Sequence, residues 1–149
     1  MKANLLATKL HRPALPTKWV KRPSLTQRLA EGLALNRQLT LVSAPAGFGK
    51  TTCVTEWLNT LDDWPVTWLS VDPADDEPGR FFTYLIAALQ KIEPNLGQAI
   101  ESVLRSGQLP PTDVVGTTLI NDILAMNGRF LLVLDDFHVI RDSLILQVV

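Results

Sequence analysis

Between Ala44 and Thr51 the chain reads Ala-Pro-Ala-Gly-Phe-Gly-Lys-Thr, which meets the pattern Ala/Gly, any four residues, Gly-Lys, Ser/Thr once in 149 positions. These residue types suit the binding of a polyphosphate. Several backbone N–H groups must converge on one oxyanion, and Gly47 and Gly49 let the main chain approach without a Cβ in the way. A helix beginning at about Lys50 would aim the positive end of its dipole at the same place. Lys50 would reach the β- and γ-phosphates, the Thr51 hydroxyl would ligate Mg²⁺, and Thr52 would touch the α-phosphate. A chain of this length meets the pattern by accident on the order of one time in a hundred. The expected ligand is ATP or a close purine triphosphate, held by Ala44, Pro45, Ala46, Gly47, Phe48, Gly49, Lys50, Thr51 and Thr52.

A second feature is a run of five apolar residues, Phe130 to Leu134, ending in Asp135-Asp136. A buried strand delivers such carboxylates to its C-terminal edge, where ligands bind in open α/β sheets. Asp135 would hold Mg²⁺ through water, and Asp136 would polarise an attacking water as general base. Alone, an apolar strand ending in acids is commonplace. With the glycine loop upstream, it reads as the other half of one site, and the double acid leans toward hydrolysis.

The elements that must position these residues are legible in outline. Residues 1–23, with Pro13, Pro16 and Pro23 among basic residues, read as an extended arm. Residues 24–149 read as a phosphate-loop NTPase domain cut short at its C-terminal end. Ser24 and Gln27 form a capping-box pattern ahead of Leu25, Leu29 and Leu33, a helix that should end near Asn36. Leu39-Thr40-Leu41-Val42 suits a buried strand leading into the loop. Helical spacing then recurs from Thr51 to about Asn59, from Phe81 to Ile92, weakly near 97–105, and from Thr112 or Asp113 to Met126. Val66–Val71 and Phe130–Leu134 read as strands, separated by the polar stretch Asp72–Gly79. Asp142 or Ser143 should cap a last helix. Strands alternating with helices imply an α/β fold with a parallel sheet covered on both faces. Breaking off inside an apolar helical stripe, the chain reads as a fragment of a longer protein.

Composition sets the outer bounds. Hydrophobic residues make up 46%, charged residues 19%, and the formal charge is −1, which describes a globular chain without the basic surplus of a general nucleic-acid binder. The single cysteine, Cys53, excludes an internal disulfide and fits a reducing compartment. No segment approaches the roughly 20 apolar residues of a membrane span. A cytoplasmic setting without a membrane partner is the expectation.

The residues reached so far resemble the start of the MalT-like branch of the STAND signalling ATPases, large bacterial regulators that often end in a LuxR-type helix-turn-helix. The resemblance is carried by Thr8–Pro13, Val20–Leu25, Leu39–Thr52, Glu56–Leu58, Trp68–Asp72, Arg80–Leu89 and Leu134–His138. It implies an ATP-driven switch in which inducer and ATP favour an open, self-associating state and hydrolysis resets it. It also implies that the arm folds near the adenine, bringing Val20 and Arg22 there, and that DNA is contacted only through a domain absent from this chain. In this class the strand following Asp135 inserts between the loop strand and the Asp135 strand. An isolated 149-residue chain would then be poorly stable and impaired in catalysis.

Other readings stay open. A phosphotransferase acting on a small acceptor would need an arginine-rich lid, which is not evident, and a non-catalytic gene fragment would keep only the fold signals. Among the remaining residues, His138 reads as a locally packed loop histidine and His11 stands alone. Cys53 could be activated by the helix start but reads better as packing. Asp72, Asp75, Asp76 and Glu77 read as a solvated acidic loop, of which only Asp72 faces the nucleotide edge. Trp57 and Trp68 suit core positions. Lys18, Lys21, Arg22 and Arg28 form a solvated basic face.

Overall fold

The computed structural model describes residues 5–149. Among them are six α-helices and two strands: α1 (Pro23–Ala34), α2 (Lys50–Leu58), β1 (Val66–Ser70), α3 (Pro78–Leu89), α4 (Gln98–Arg105), α5 (Thr112–Ala125), β2 (Leu131–Asp135) and α6 (Ser143–Val148). The chain forms two compact units. One holds the chain up to His11 together with Pro65–Val149, and the other holds Arg12–Trp64. No helix among the described residues is long and apolar enough to cross a membrane.

In the first unit β1 and β2 run parallel, in register from Val66↔Leu131 to Ser70↔Asp135. The connection between them carries α3, α4 and α5, the kind of long crossover that parallel strands require. The centre of β1 is buried on both faces. Thr67 is polar yet tolerated there, because its hydroxyl donates to the Ala88 carbonyl at 2.6 Å. Helix α3 supplies the heart of the core with Phe81, Phe82, Ile86 and Leu89, against Leu69 of β1, Val115 of α5 and Ile145 of α6. It starts where local chemistry tells it to: Pro78 occupies the first turn, and the Glu77 carboxylate accepts the N–H groups of Gly79 and Arg80. Helix α6 is likewise capped by Asp142, which accepts from Leu144 and Ile145.

The second unit packs α1 and α2 together. Helix α1 begins at Pro23, so Ser24 falls inside the first turn and the anticipated capping box does not form. The helix closes on Asn36 at φ 54°, with Arg37 N–H bonded to Gly32 O and Asn36 N–H to Leu33 O, a Schellman ending that asparagine tolerates. On α2, Trp57 and Leu58 are buried as the spacing predicted.

Two sequence expectations fail here. Residues 39–43 do not form a strand, and the sheet holds only β1 and β2. A strand is held by a ladder of main-chain hydrogen bonds, and none of the described strands pairs with this run. Leu39 and Leu41 are instead 81% and 85% exposed. The arm is not extended throughout either. Ala7–Leu10 wind into a 3-10 turn, with Lys9 and Leu10 buried.

Candidate phosphate loop and acidic strand end

In the 12–64 unit, the loop from Ala44 to Gly49 is held by main-chain geometry. Gly47 has φ 81° and Gly49 φ 74°, the left-handed region that side-chain-bearing residues avoid. A Cβ built at either glycine would meet no atom within 4 Å. The backbone angle, not crowding by protein, is therefore what calls for glycine. Phe48 N–H bonds to Pro45 O at 3.4 Å and closes the turn. Gly49 is the N-terminal boundary of α2 and supplies no side-chain cap, so the helix start presents its dipole to the loop. Lys50 folds back over the loop, its ammonium donating to Ala44 O at 2.7 Å and Pro45 O at 3.3 Å. Neither acceptor carries a charge. Thr51 and Thr52 occupy the first turn of α2, and Phe48 is exposed.

Such a cradle suits a polyanion. Its donors are preset in the backbone and at a helix N-terminus, and its cation is held by two neutral carbonyls that an anionic oxygen can outbid. Of the two arm residues, Arg22 borders α1, close enough to Cys53 for its charge to act on the thiol; Val20 is exposed. Cys53 is buried. Burial, followed by the Glu56 charge, pushes its thiol pKa up, and Arg22 opposes this only in part. It is a packing residue, as its small size suggested.

The acidic strand end belongs to the other unit. Asp135 closes β2 opposite Ser70, and its carbonyl accepts Val71 N–H at 2.9 Å. Asp136 follows with φ 58°, a left-handed residue that is uncommon unless Asn or Asp. Its N–H donates to Asp135 Oδ1 at 3.2 Å. The turn leaves the Asp136 side chain exposed, and His138 Nδ1 lies 3.9 Å from its Oδ1, itself largely in solvent. His138 is thus an open loop residue, less packed than expected. Among the described residues no three His, Cys, Asp or Glu side chains gather as a cation cage. A magnesium ion that draws most ligands from phosphates and water needs none.

The acidic loop after β1 is where sequence reasoning missed most. It is not solvated throughout: Asp75 is 1% exposed. Its carboxylate accepts from the Lys9 ammonium, from Arg80 Nε at 2.9 Å and from Asp72 N–H at 2.9 Å. Lys9 also pairs with Asp72 at 2.7 Å and lies over the Tyr84 ring. Asp72 accepts Ala74 N–H, completing a reciprocal capping box with Asp75. The Asp-x-x-Asp spacing was the available signal. The next residue, Asp76, accepts Arg141 N–H at 2.8 Å and Asp142 N–H at 2.7 Å, tying this loop to the segment after β2.

These contacts carry a pH signature. The Lys9 hydrogen bond holds the Asp72 carboxyl below its ordinary pKa, and the Arg141 and Asp142 amides do the same for Asp76. A carboxyl lowered in the folded state adds stability above its unfolded pKa, and that stability is lost as pH falls through the folded value. The wild-type urea midpoint should therefore drop as pH falls below the ordinary aspartate range, about pH 4. Asp76→Asn should flatten the slope, and parallel profiles would refute the assignment.

No family model matches this chain. The HTH-type transcriptional regulator MalT of Yersinia enterocolitica is 34% identical over 141 residues, which is 95% of this chain and 15% of that protein. MalT of Yersinia pestis is 33% identical over the same length and share, as is that of Yersinia pseudotuberculosis. This chain is homologous to a part of MalT. It spans about 15% of the length of the MalT proteins it matches, and since 95% of its own residues align with MalT, the match takes in both the glycine loop and the acidic strand end.

Proposed function

We propose that this chain is the nucleotide-binding region of an ATP-dependent switch in a MalT-like transcription regulator. The observation that carries the reading is the loop itself: Gly47 and Gly49 in left-handed conformations, leading into a helix start without a side-chain cap, with the Lys50 ammonium folded over its carbonyls. In this reading Lys50 exchanges the Ala44 and Pro45 carbonyls for the β- and γ-phosphates of ATP. Main-chain amides of the loop would hold the remaining oxygens, and Thr51 and Asp135 would hold Mg²⁺. ATP supplies the cleavable phosphoanhydride, and Mg²⁺ neutralises its charge. Asp136 orients and deprotonates the attacking water. Val20 and Arg22 lie on the base side, and DNA contact and ATP-dependent self-association belong to the whole regulator.

Titration with ATP, with and without Mg²⁺, tests the site. Lys50→Ala should weaken binding by about tenfold to a hundredfold, the worth of hydrogen bonds to a charged group. Lys18→Ala, at an exposed arm position, serves as the control and should leave affinity unchanged. Equal affinities for wild type and Lys50→Ala would remove the loop from the site.

A further inference from the structure

We propose that Lys9 is a positioning residue for the acidic strand end, acting through the two loops that follow β1 and β2. The inference rests on the nucleotide-switch reading for its catalytic consequence, but its structural part stands alone.

The segment from Leu6 to Leu10 is fastened to its unit at three places. Leu6 N–H donates to the Tyr84 hydroxyl at 3.2 Å, Lys9 pairs with Asp72 and Asp75, and the Leu10 carbonyl accepts from the Lys91 ammonium. A lysine this deeply buried is costly unless fully paired, so its placement calls for a reason. The reason lies in what its partners hold. Asp75 receives Lys9, Arg80 and its own loop's Asp72 amide, which locks residues 72–75 into one shape. That shape aims the next side chain, Asp76, at two amides beyond β2, those of Arg141 and Asp142. Between β2 and those amides lies the turn that begins with the left-handed Asp136 and includes Phe137, whose ring meets Phe81 at 6.1 Å. The turn is thus held by an aromatic contact near its start and by Asp76 at its end. Lys9 stands at the head of this relay, 126 residues upstream of Asp135 in sequence but one strand away in space, since Asp72 follows β1 and β1 pairs directly with β2. Neutralising Lys9 leaves two adjacent carboxylates, Asp72 and Asp75, repelling each other across the capping box. The box then opens, Asp76 loses its aim, and the turn that carries Asp136 loses its fastening at Arg141 and Asp142.

Amide hydrogen exchange in the intact protein reads the relay without any nucleotide. Lys9→Met should speed exchange at Asp72, Arg141 and Asp142 by about tenfold or more, and leave core amides of α3 near the wild-type rate. Lys9→Arg should retain part of the protection. Asp76→Ala should speed exchange at Arg141 and Asp142 while sparing Asp72. In ATP hydrolysis, Lys9→Met and Asp76→Ala should both lower kcat by about tenfold to a hundredfold, the usual effect of losing a supporting partner. KM should stay within about twofold, because the loop that binds phosphate is untouched. Wild-type exchange rates at Arg141 and Asp142 in Lys9→Met would overturn the relay. If Lys9→Met does not fold, Asp76→Ala decides alone, and unchanged exchange and kcat in that variant overturn it equally. Absence of ATP binding by the wild type would count against the nucleotide-switch reading, and the exchange rates would still decide the relay.

Discussion

Asp75→Ala is expected to destabilise the folded chain by about 3–5 kcal/mol, the range for removing one partner from a buried ion pair. The side chain lost is among the most deeply buried in the protein, and three donors converge on it: Lys9, Arg80 and the Asp72 amide. They would not suffer equally. Arg80 has 40% of its side chain exposed and can turn to water. Lys9, at 8%, cannot, and would keep only Asp72 as a carboxylate partner. The Asp72 amide would lose its acceptor as well. A paired replacement separates the cost of an orphaned charge from the worth of the pair. Lys9→Met with Asp75→Leu should recover much of the stability, because apolar groups of similar volume often replace buried ion pairs without loss. Urea unfolding followed by circular dichroism measures both. A loss below about 1 kcal/mol for Asp75→Ala would mean the cluster is effectively solvated, as exposed pairs are.

That cluster also marks the limit of what the sequence disclosed. Every helix anticipated from apolar spacing is present, and most boundaries lie within a few residues, because spacing and the Asp142 cap are local signals; α3 starts three residues before the expected Phe81, at Pro78 behind the Glu77 cap. Both strands of the β1–β2 pair were legible for the same reason: Val66–Val71 and Phe130–Leu134 are strand-prone runs bounded by polar residues or glycine. The glycines of the phosphate loop take the left-handed angles their types suggested. What failed was non-local. Leu39–Val42 has the composition of a strand, but a strand also needs a neighbour, and composition says nothing of neighbours. Asp75 read as a solvated charge because, taken singly, it belongs in water; only its meeting with Lys9, 66 positions away, permits burial. Asp76 was missed likewise, since its partners are main-chain amides that no residue type announces.

Gly97→Val is the other substitution expected to cost most, about 2–6 kcal/mol from two separable causes: left-handed backbone strain and overpacking, each about 1–3 kcal/mol. Gly97 begins α4 with φ 69°, and its N–H donates to the Asp122 carboxylate of α5 at 2.9 Å. A Cβ there would sit 3.0 Å from Ile86 Cγ1, 3.2 Å from Ile86 Cγ2 and 3.3 Å from Leu119 Cδ2. Both neighbours are buried, so neither can withdraw into solvent. The position is the point where α4 is pinned between α3 and α5, within the crossover that joins β1 to β2. Gly107 provides the internal standard. It has a similar angle, φ 80°, but a Cβ there would meet nothing within 4 Å. Gly107→Val should therefore show the backbone cost alone, and the difference between the two variants should equal the packing cost at Gly97. Thermal melts of Gly97→Ala, Gly97→Val and Gly107→Val would rank them, with Gly97→Val lowest. Equal losses at the two glycines would show that Ile86 and Leu119 yield freely, and that the seat of α4 is softer than its contacts imply.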